Sequence, residues 1–87
     1  MIYEVRYDPK TEKQLEKLPK DIAGRIIKNV REVAETGRGI ESIKEAKYGY
    51  KIRVGKYRVL IDLTTNPDTI WVRFIDLRDR VYKRIKE

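Results

Sequence analysis

Cysteine and histidine are both missing from this 87-residue sequence. Their absence excludes disulfides, thiolate nucleophiles, imidazole bases and the usual zinc ligands. Any catalysis has to come from Lys, Arg, Tyr, Asp, Glu, Ser or Thr, and no metal or cofactor is expected. Long apolar runs are missing as well, so no segment reads as a bilayer span. The opening Met1-Ile2-Tyr3-Glu4-Val5-Arg6-Tyr7 alternates and carries an early acid. It reads as a strand and not as a signal peptide, which makes the cytoplasm the default location. A hydrophobic content of 40% is enough for a globular fold. At this length residues 1–87 are expected to form one domain around one modest core.

What the chain does have is positive charge, and most of it lies in one half. The net charge is +7, but residues 1–46 hold ten Lys/Arg against nine Asp/Glu. Residues 47–87 hold eleven against five. Charge concentrated in this way makes a field that attracts anions. Six of the eight aromatics (Tyr48, Tyr50, Tyr57, Trp71, Phe74 and Tyr82) share that half. Cations interleaved with aromatics suit a nucleic acid, offering phosphate contacts and stacking faces together. The densest stretch is Tyr50-Lys51-Ile52-Arg53-Val54-Gly55-Lys56-Tyr57-Arg58, a surface suited to holding a polyanion such as RNA.

Local signals set out the elements. Asp8-Pro9 reads as an N-cap with proline at the first helical position, opening a short helix to about Leu18. Leu15 and Leu18 share one of its faces, and Pro19 ends it. A second helix is expected from about Lys20 to Thr36, with Ile22, Ile26, Val30 and Val33 as its core stripe and Gly37 as its C-cap. Residues 38–47 form a connector anchored by Ile40 and Ile43. Alternating strands follow at Tyr48–Val54, Tyr57–Thr64 and Thr69–Asp76. Gly55-Lys56 suits a two-residue hairpin loop, and Asn66-Pro67-Asp68 marks the second turn. A short helix from about Arg78 to Lys86 faces inward through Val81 and Ile85. The expected fold is α+β, ordered β-α-α-β-β-β-α, with a mainly antiparallel four-stranded sheet against the two N-terminal helices.

That hairpin loop pairs Val54 with Tyr57, Arg53 with Arg58, Ile52 with Val59 and Lys51 with Leu60. Alternation puts Ile52, Val54, Val59, Ile61 and Leu63 on the core face, and Lys51, Arg53 and Arg58 on the other. On the last strand Val72 and Phe74 join the core, leaving Trp71, Arg73 and Ile75 beside the cations. Two arginines directly opposite each other cost roughly 0.2–1 kcal/mol. An anionic ligand gives a reason for them; neutralisation by Asp62, Asp76 or a helix acid is the other. Trp71 either stacks on a base or covers apolar surface.

The run Tyr50 to Val59 resembles the hallmark strand pair of the RelE/ParE toxin superfamily. Lys17-Leu18-Pro19-Lys20 and Leu77-Arg78-Asp79-Arg80-Val81-Tyr82 extend the resemblance over nearly the whole chain, nearest to the archaeal-type RelE branch. RelE-type members are ribosome-dependent endoribonucleases that cut mRNA and are held inactive by a cognate RelB-like antitoxin. ParE-type members share the fold and act on DNA gyrase. Position by position, the resemblance makes Lys51, Arg53, Arg58, Arg78 and Tyr82 the catalytic candidates. Lys56, Trp71, Arg73 and Arg80 are the remaining candidates for RNA contact. Leu77 stands where the family often has histidine, and Lys51 where this branch often has arginine. The first departure removes one candidate acid or base.

Metal-independent RNA cleavage uses the 2′-OH as nucleophile and needs a proton acceptor, cations on the phosphoryl oxygens and a donor for the leaving oxygen. Arg53, Arg58 and Arg78 suit the cation role, because guanidinium forks match phosphate. Lys51 is a candidate base, and Tyr82 an alternative acid or base, a stacking platform, or a packing residue of the last helix. The competing readings are a gyrase-directed toxin without enzymatic activity and a nucleic-acid-binding relative without catalysis.

Overall fold

The structure, a computed structural model, describes residues 2–43 and 49–77. Seven elements follow in order: β1 (Glu4–Tyr7), α1 (Pro9–Lys17), α2 (Lys20–Thr36), β2 (Glu41–Ser42), β3 (Tyr50–Val54), β4 (Tyr57–Thr64) and β5 (Thr69–Leu77). The class is α+β, as the sequence implied, but the sheet has five strands in the order β1-β5-β4-β3-β2. The extra strand is β2, inside the connector that sequence signals left without a form. It pairs antiparallel with β3 through Glu41–Lys51 and Ser42–Tyr50. The β1–β5 pair is parallel and the others are antiparallel. The expected C-terminal helix lies outside the described residues.

Helix boundaries fall where local chemistry puts them. The Asp8 carboxylate accepts from the Lys10 N–H at 3.0 Å, satisfying an orphan donor of the first turn of α1. Leu18 is already extended, as a residue before proline prefers to be, and α2 starts after Pro19. At its end Gly37 takes φ 73°, and its N–H donates to the Val33 carbonyl at 2.7 Å. A residue with a Cβ is strained in that left-handed conformation, so glycine suits the position.

The helices cover one face of the sheet. Ile26, Val30, Val33 and Ala34 of α2 pack with Ile52, Val54, Val59, Ile61, Ile70, Val72 and Ile75 of the sheet. Among the described residues no helix is long and apolar enough to cross a membrane.

Helix α1 also finishes the edge of the sheet. β1 pairs with β5 only as far as Val72, where the Asp8 N–H donates to the Val72 carbonyl at 2.9 Å. Beyond that, the Gln14 side chain takes over the next backbone site of β5. Its Nε2 donates to the Ile75 carbonyl at 2.8 Å and its Oε1 accepts from the Ile75 N–H at 2.9 Å. Thr11, fully buried, puts its hydroxyl 2.6 Å from the Asp8 carbonyl and 3.1 Å from that of Val72. Backbone groups that a sixth strand would otherwise claim are satisfied by these side chains.

One sequence-based assignment is reversed. Leu60 pairs with Phe74 but Ile61 pairs with Val72, so Arg73 is an extra residue in β5. Such a bulge breaks the two-residue alternation. Trp71, Arg73 and Phe74 therefore stay off the core face, and Ile75 enters the core cluster in place of Phe74.

At the sheet's outer strand, Tyr7 is half-buried against this core, and burial raises its pKa above the ordinary 10.0 while Arg31 nearby works in the opposite direction. The folded state thus holds the phenol proton more tightly than the unfolded chain does. Tyr7 contributes stability in full below the ordinary value and loses it as pH rises through the raised one. Denaturation midpoints followed from neutral pH to about pH 11 should fall less steeply for Tyr7→Phe than for wild type.

Candidate active site

The basic segment folds as a hairpin around Gly55-Lys56, with Gly55 at φ 58°, a conformation that favours glycine. The register is the expected one: Val54–Tyr57, Arg53–Arg58, Ile52–Val59 and Lys51–Leu60 are partners. Arg53 and Arg58 therefore do oppose each other on the face away from the helices. They are not equivalent, however, and the sheet treats each differently.

Arg53 is exposed, and its Nε meets a Glu41 oxygen at 2.8 Å. The neutralising acid comes from β2, and not from Asp62, Asp76 or a helix. Because the pair is open to water, its worth is about 0–1 kcal/mol, and a phosphate competes with Glu41 on nearly equal terms. Lys51 is half-buried, between its register partners Glu41 and Leu60.

Arg58 is only 5% exposed. Its Nη1 donates to the carbonyls of Gly55 at 2.9 Å and Tyr57 at 2.8 Å, so the guanidinium is clamped against its own turn. Its Nε is buried with no hydrogen-bond partner among the described residues. Asp76 is its partner position across β4–β5 and has one carboxylate oxygen on the Leu77 N–H at 2.8 Å. No described carboxylate lies within ion-pair distance of Arg58. Its place on an open basic face, expected from alternation alone, is corrected: the face is right, but the group is buried and held to the carbonyls of its own turn.

Arg73 is held more firmly still. Its Nε meets Asp62 at 3.0 Å and its Nη1 lies 3.6 Å from Asp8. The guanidinium also sits over the Trp71 ring, 4.9 Å from the centroid. Trp71 thus uses a ring face on Arg73, a cation–π interaction, which leaves less of it for a base. Lys56 is exposed at the turn. Arg78, Arg80 and Tyr82 lie outside the described residues.

A residue that sequence reasoning passed over also reaches the turn. Arg25 of α2 approaches Gly55, where an added Cβ would lie 3.6 Å from its Nη1. Nothing in the α2 sequence marks Arg25 apart from other polar-face residues; only the packing of α2 against β3 reveals it. A groove of about 550 Å³ lined by Glu4, Val5, Arg6, Tyr7, Ile27 and Arg31 borders the far strand, β1, well away from the hairpin. Among the described residues, no cluster of three or more acids could hold a metal ion.

No family model matches the sequence, and no curated protein matches it by sequence. Solved structures do match. The E. coli toxin RelE, a double arginine mutant in the free state, aligns with a TM-score of 0.75 at 23% identity, covering 99% of this chain and 96% of that one. The archaeal RelE–RelB complex from Pyrococcus horikoshii aligns at 0.75 and 21%, over 92% of this chain and 99% of that one. The RelB–RelE antitoxin–toxin complex from Methanococcus jannaschii aligns at 0.64 and 29%, over 87% and 93%. Matching length, a shared α+β architecture and nearly full coverage of both chains agree on one conclusion: this chain has the fold of the RelE toxins.

Proposed function

We propose that this chain is the toxin of a type II toxin–antitoxin system and a ribosome-dependent endoribonuclease that cuts mRNA. The observation that carries the reading is Arg58. It is a buried cation with no ion-pair partner among the described residues, and burying such a charge unpaired costs several kcal/mol through lost hydration. An anion arriving at the hairpin offsets that cost, and a phosphodiester has the fork geometry a guanidinium fits.

In the proposed reaction, a base removes the proton of the 2′-OH, whose oxygen forms a bond to the adjacent phosphorus. The bond from phosphorus to the 5′-oxygen breaks, an acid protonates that oxygen, and a 2′,3′-cyclic phosphate remains. Arg58, pre-set by its two carbonyl partners, stabilises the charge growing on the phosphoryl oxygens. Arg53 adds to it once phosphate replaces Glu41, and Arg78 supplies a third cation. Lys51 and Tyr82 are assigned the proton transfers. The proposed reaction is metal-independent, with the 2′-OH as nucleophile and guanidinium groups taking the charge that grows on the phosphate. Lacking a strong general base, the site depends on an external scaffold to align the mRNA, which is the role given to the ribosome.

Two of the solved relatives are toxin–antitoxin complexes, which supports a RelB-like antitoxin as this chain's partner. Toxin, ribosome and antitoxin would then meet in the cytoplasm. A second reading, a non-enzymatic toxin binding a topoisomerase, draws on the Arg53–Glu41 pair, which neutralises the outermost strand cation.

Mapping mRNA ends after incubation with programmed ribosomes separates the two. New ends within codons in the ribosomal A site support the nuclease; intact mRNA with inhibited supercoiling supports the second reading. Glu41 supplies an independent check. Glu41→Gln should raise RNA affinity a few-fold by releasing Arg53, while stability changes by less than about 1 kcal/mol. Unchanged affinity in a filter-binding titration would argue that Arg53 takes no part in binding.

A further inference from the structure

Arg25 lies thirty residues before Gly55 in the chain, yet its guanidinium covers the hairpin turn. A Cβ on Gly55 would lie 3.6 Å from Nη1, 3.8 Å from Cζ and 3.9 Å from Nη2. Were the group pointing its fork at the turn, Cζ would be the farthest of the three. It is not, so the guanidinium lies flat toward Gly55, and Arg25 is exposed. The φ of 58° is what favours glycine in this turn, and a Cβ there would meet the Arg25 guanidinium at ordinary van der Waals contact.

Among the described residues, no acid pairs with this cation. Asp21 stands one helical turn before Arg25 on α2, but no ion pair joins them, and no other described carboxylate pairs with Arg25. Asn29 donates only to the backbone carbonyl of Arg25, at 2.8 Å. Lys56 is exposed beside Gly55, and Arg58 reaches the Gly55 carbonyl from within the hairpin. Three cations from two separate elements thus converge on one turn. By contrast Arg53 and Arg73 each have a carboxylate beside them. Among the described residues, no carboxylate forms an ion pair with Arg25, Lys56 or Arg58 at the turn.

We propose that Arg25 and Lys56 form a docking site for the sugar–phosphate backbone of structured RNA, separate from the bond that is cut. The proposal rests on the reading of RNA as the target. Arg58, buried and held by the turn carbonyls, serves the reacting phosphate, while Arg25 and Lys56, both exposed, grip phosphates farther along. A cation from the helix beside one from the turn offers two charges, from two elements, to successive phosphates. RNA held at both points is fixed in register and direction, which is what an active site without a strong base requires.

The test uses the full chain and a fluorescently labelled RNA stem-loop, titrated at several salt concentrations. For Arg25→Glu, affinity should fall at least tenfold, and the slope of log affinity against log salt should shrink by about 1, as expected when one phosphate is no longer neutralised. Arg25→Lys should recover most of the affinity, and thermal unfolding of Arg25→Ala should match wild type. In the cleavage reaction the loss should appear as a raised KM. Wild-type affinity and salt slope in Arg25→Glu would overturn the site, as would a loss confined to kcat. Polyglutamate competing better than RNA, with the same sensitivity to Arg25→Glu, would overturn RNA as the occupant in favour of an acidic protein. Wild-type protein that binds the stem-loop through Arg25 but cuts no mRNA would refute the nuclease reading and leave this site standing.

Discussion

Arg58→Ala should lower mRNA cleavage on programmed ribosomes by roughly 10²–10³-fold, the usual loss when one pre-positioned donor to the transition state is removed. The size of the effect follows from burial. In a site closed to water, a guanidinium already held by the Gly55 and Tyr57 carbonyls needs no reorganisation when charge develops on the phosphate. Folding should survive the change, because two effects oppose each other. The variant loses two hydrogen bonds within the turn, but it also loses a buried cation without an ion-pair partner among the described residues. Arg58→Lys distinguishes charge from geometry. A lysine keeps the charge but cannot hold both carbonyls and still present a fork, so its activity should fall between alanine and wild type. Cleavage by Arg58→Ala within a few-fold of wild type would remove Arg58 from the mechanism, and with it the observation on which the nuclease proposal stands.

The second large effect concerns stability and tests the bulge at Arg73. Ile75→Ala should destabilise the protein by about 2–4 kcal/mol, and Phe74→Ala by clearly less, about 1 kcal/mol. Simple alternation from Val72 gives the opposite ranking, since it puts Phe74 inside and Ile75 outside. In the folded chain Ile75 is 4% exposed within the core cluster, whereas Phe74 is half-buried outside it, with the Lys10 ammonium 5.9 Å from its ring centre. Total stability of a domain this size is about 5–15 kcal/mol, so the Ile75 effect is a large fraction and easily read from urea titrations. A larger loss for Phe74→Ala would mean that β5 runs without a bulge.

How much of this was legible beforehand depends on the range of the interaction involved. The Asp8 cap, the break at Pro19, the Gly37 terminus and the Gly55-Lys56 turn involve residues within four positions of one another. Each is present as expected. The hairpin register follows from the same turn, which is why the Arg53–Arg58 opposition was available from sequence. Strand β2 was not, because two residues carry no period, and Glu41–Ser42 gain strand geometry only from β3 beside them. The bulge was invisible for a similar reason: an extra residue in β5 is defined by its count against β4, not by anything in β5 itself.

The charges divide along the same line. By itself the sequence determined which residues are cationic, that they gather after residue 46, and that two arginines meet across a hairpin. Only the tertiary structure decided what each cation faces: Glu41 for Arg53, Asp62 and Asp8 for Arg73, and the turn carbonyls for Arg58. It alone brought Arg25 from α2 onto Gly55. Turns and caps depend on backbone conformation within a few residues, which local composition encodes. Whether a charge is neutralised or left for a ligand depends on groups far apart in the chain, and only the packing of helix on sheet brings those together.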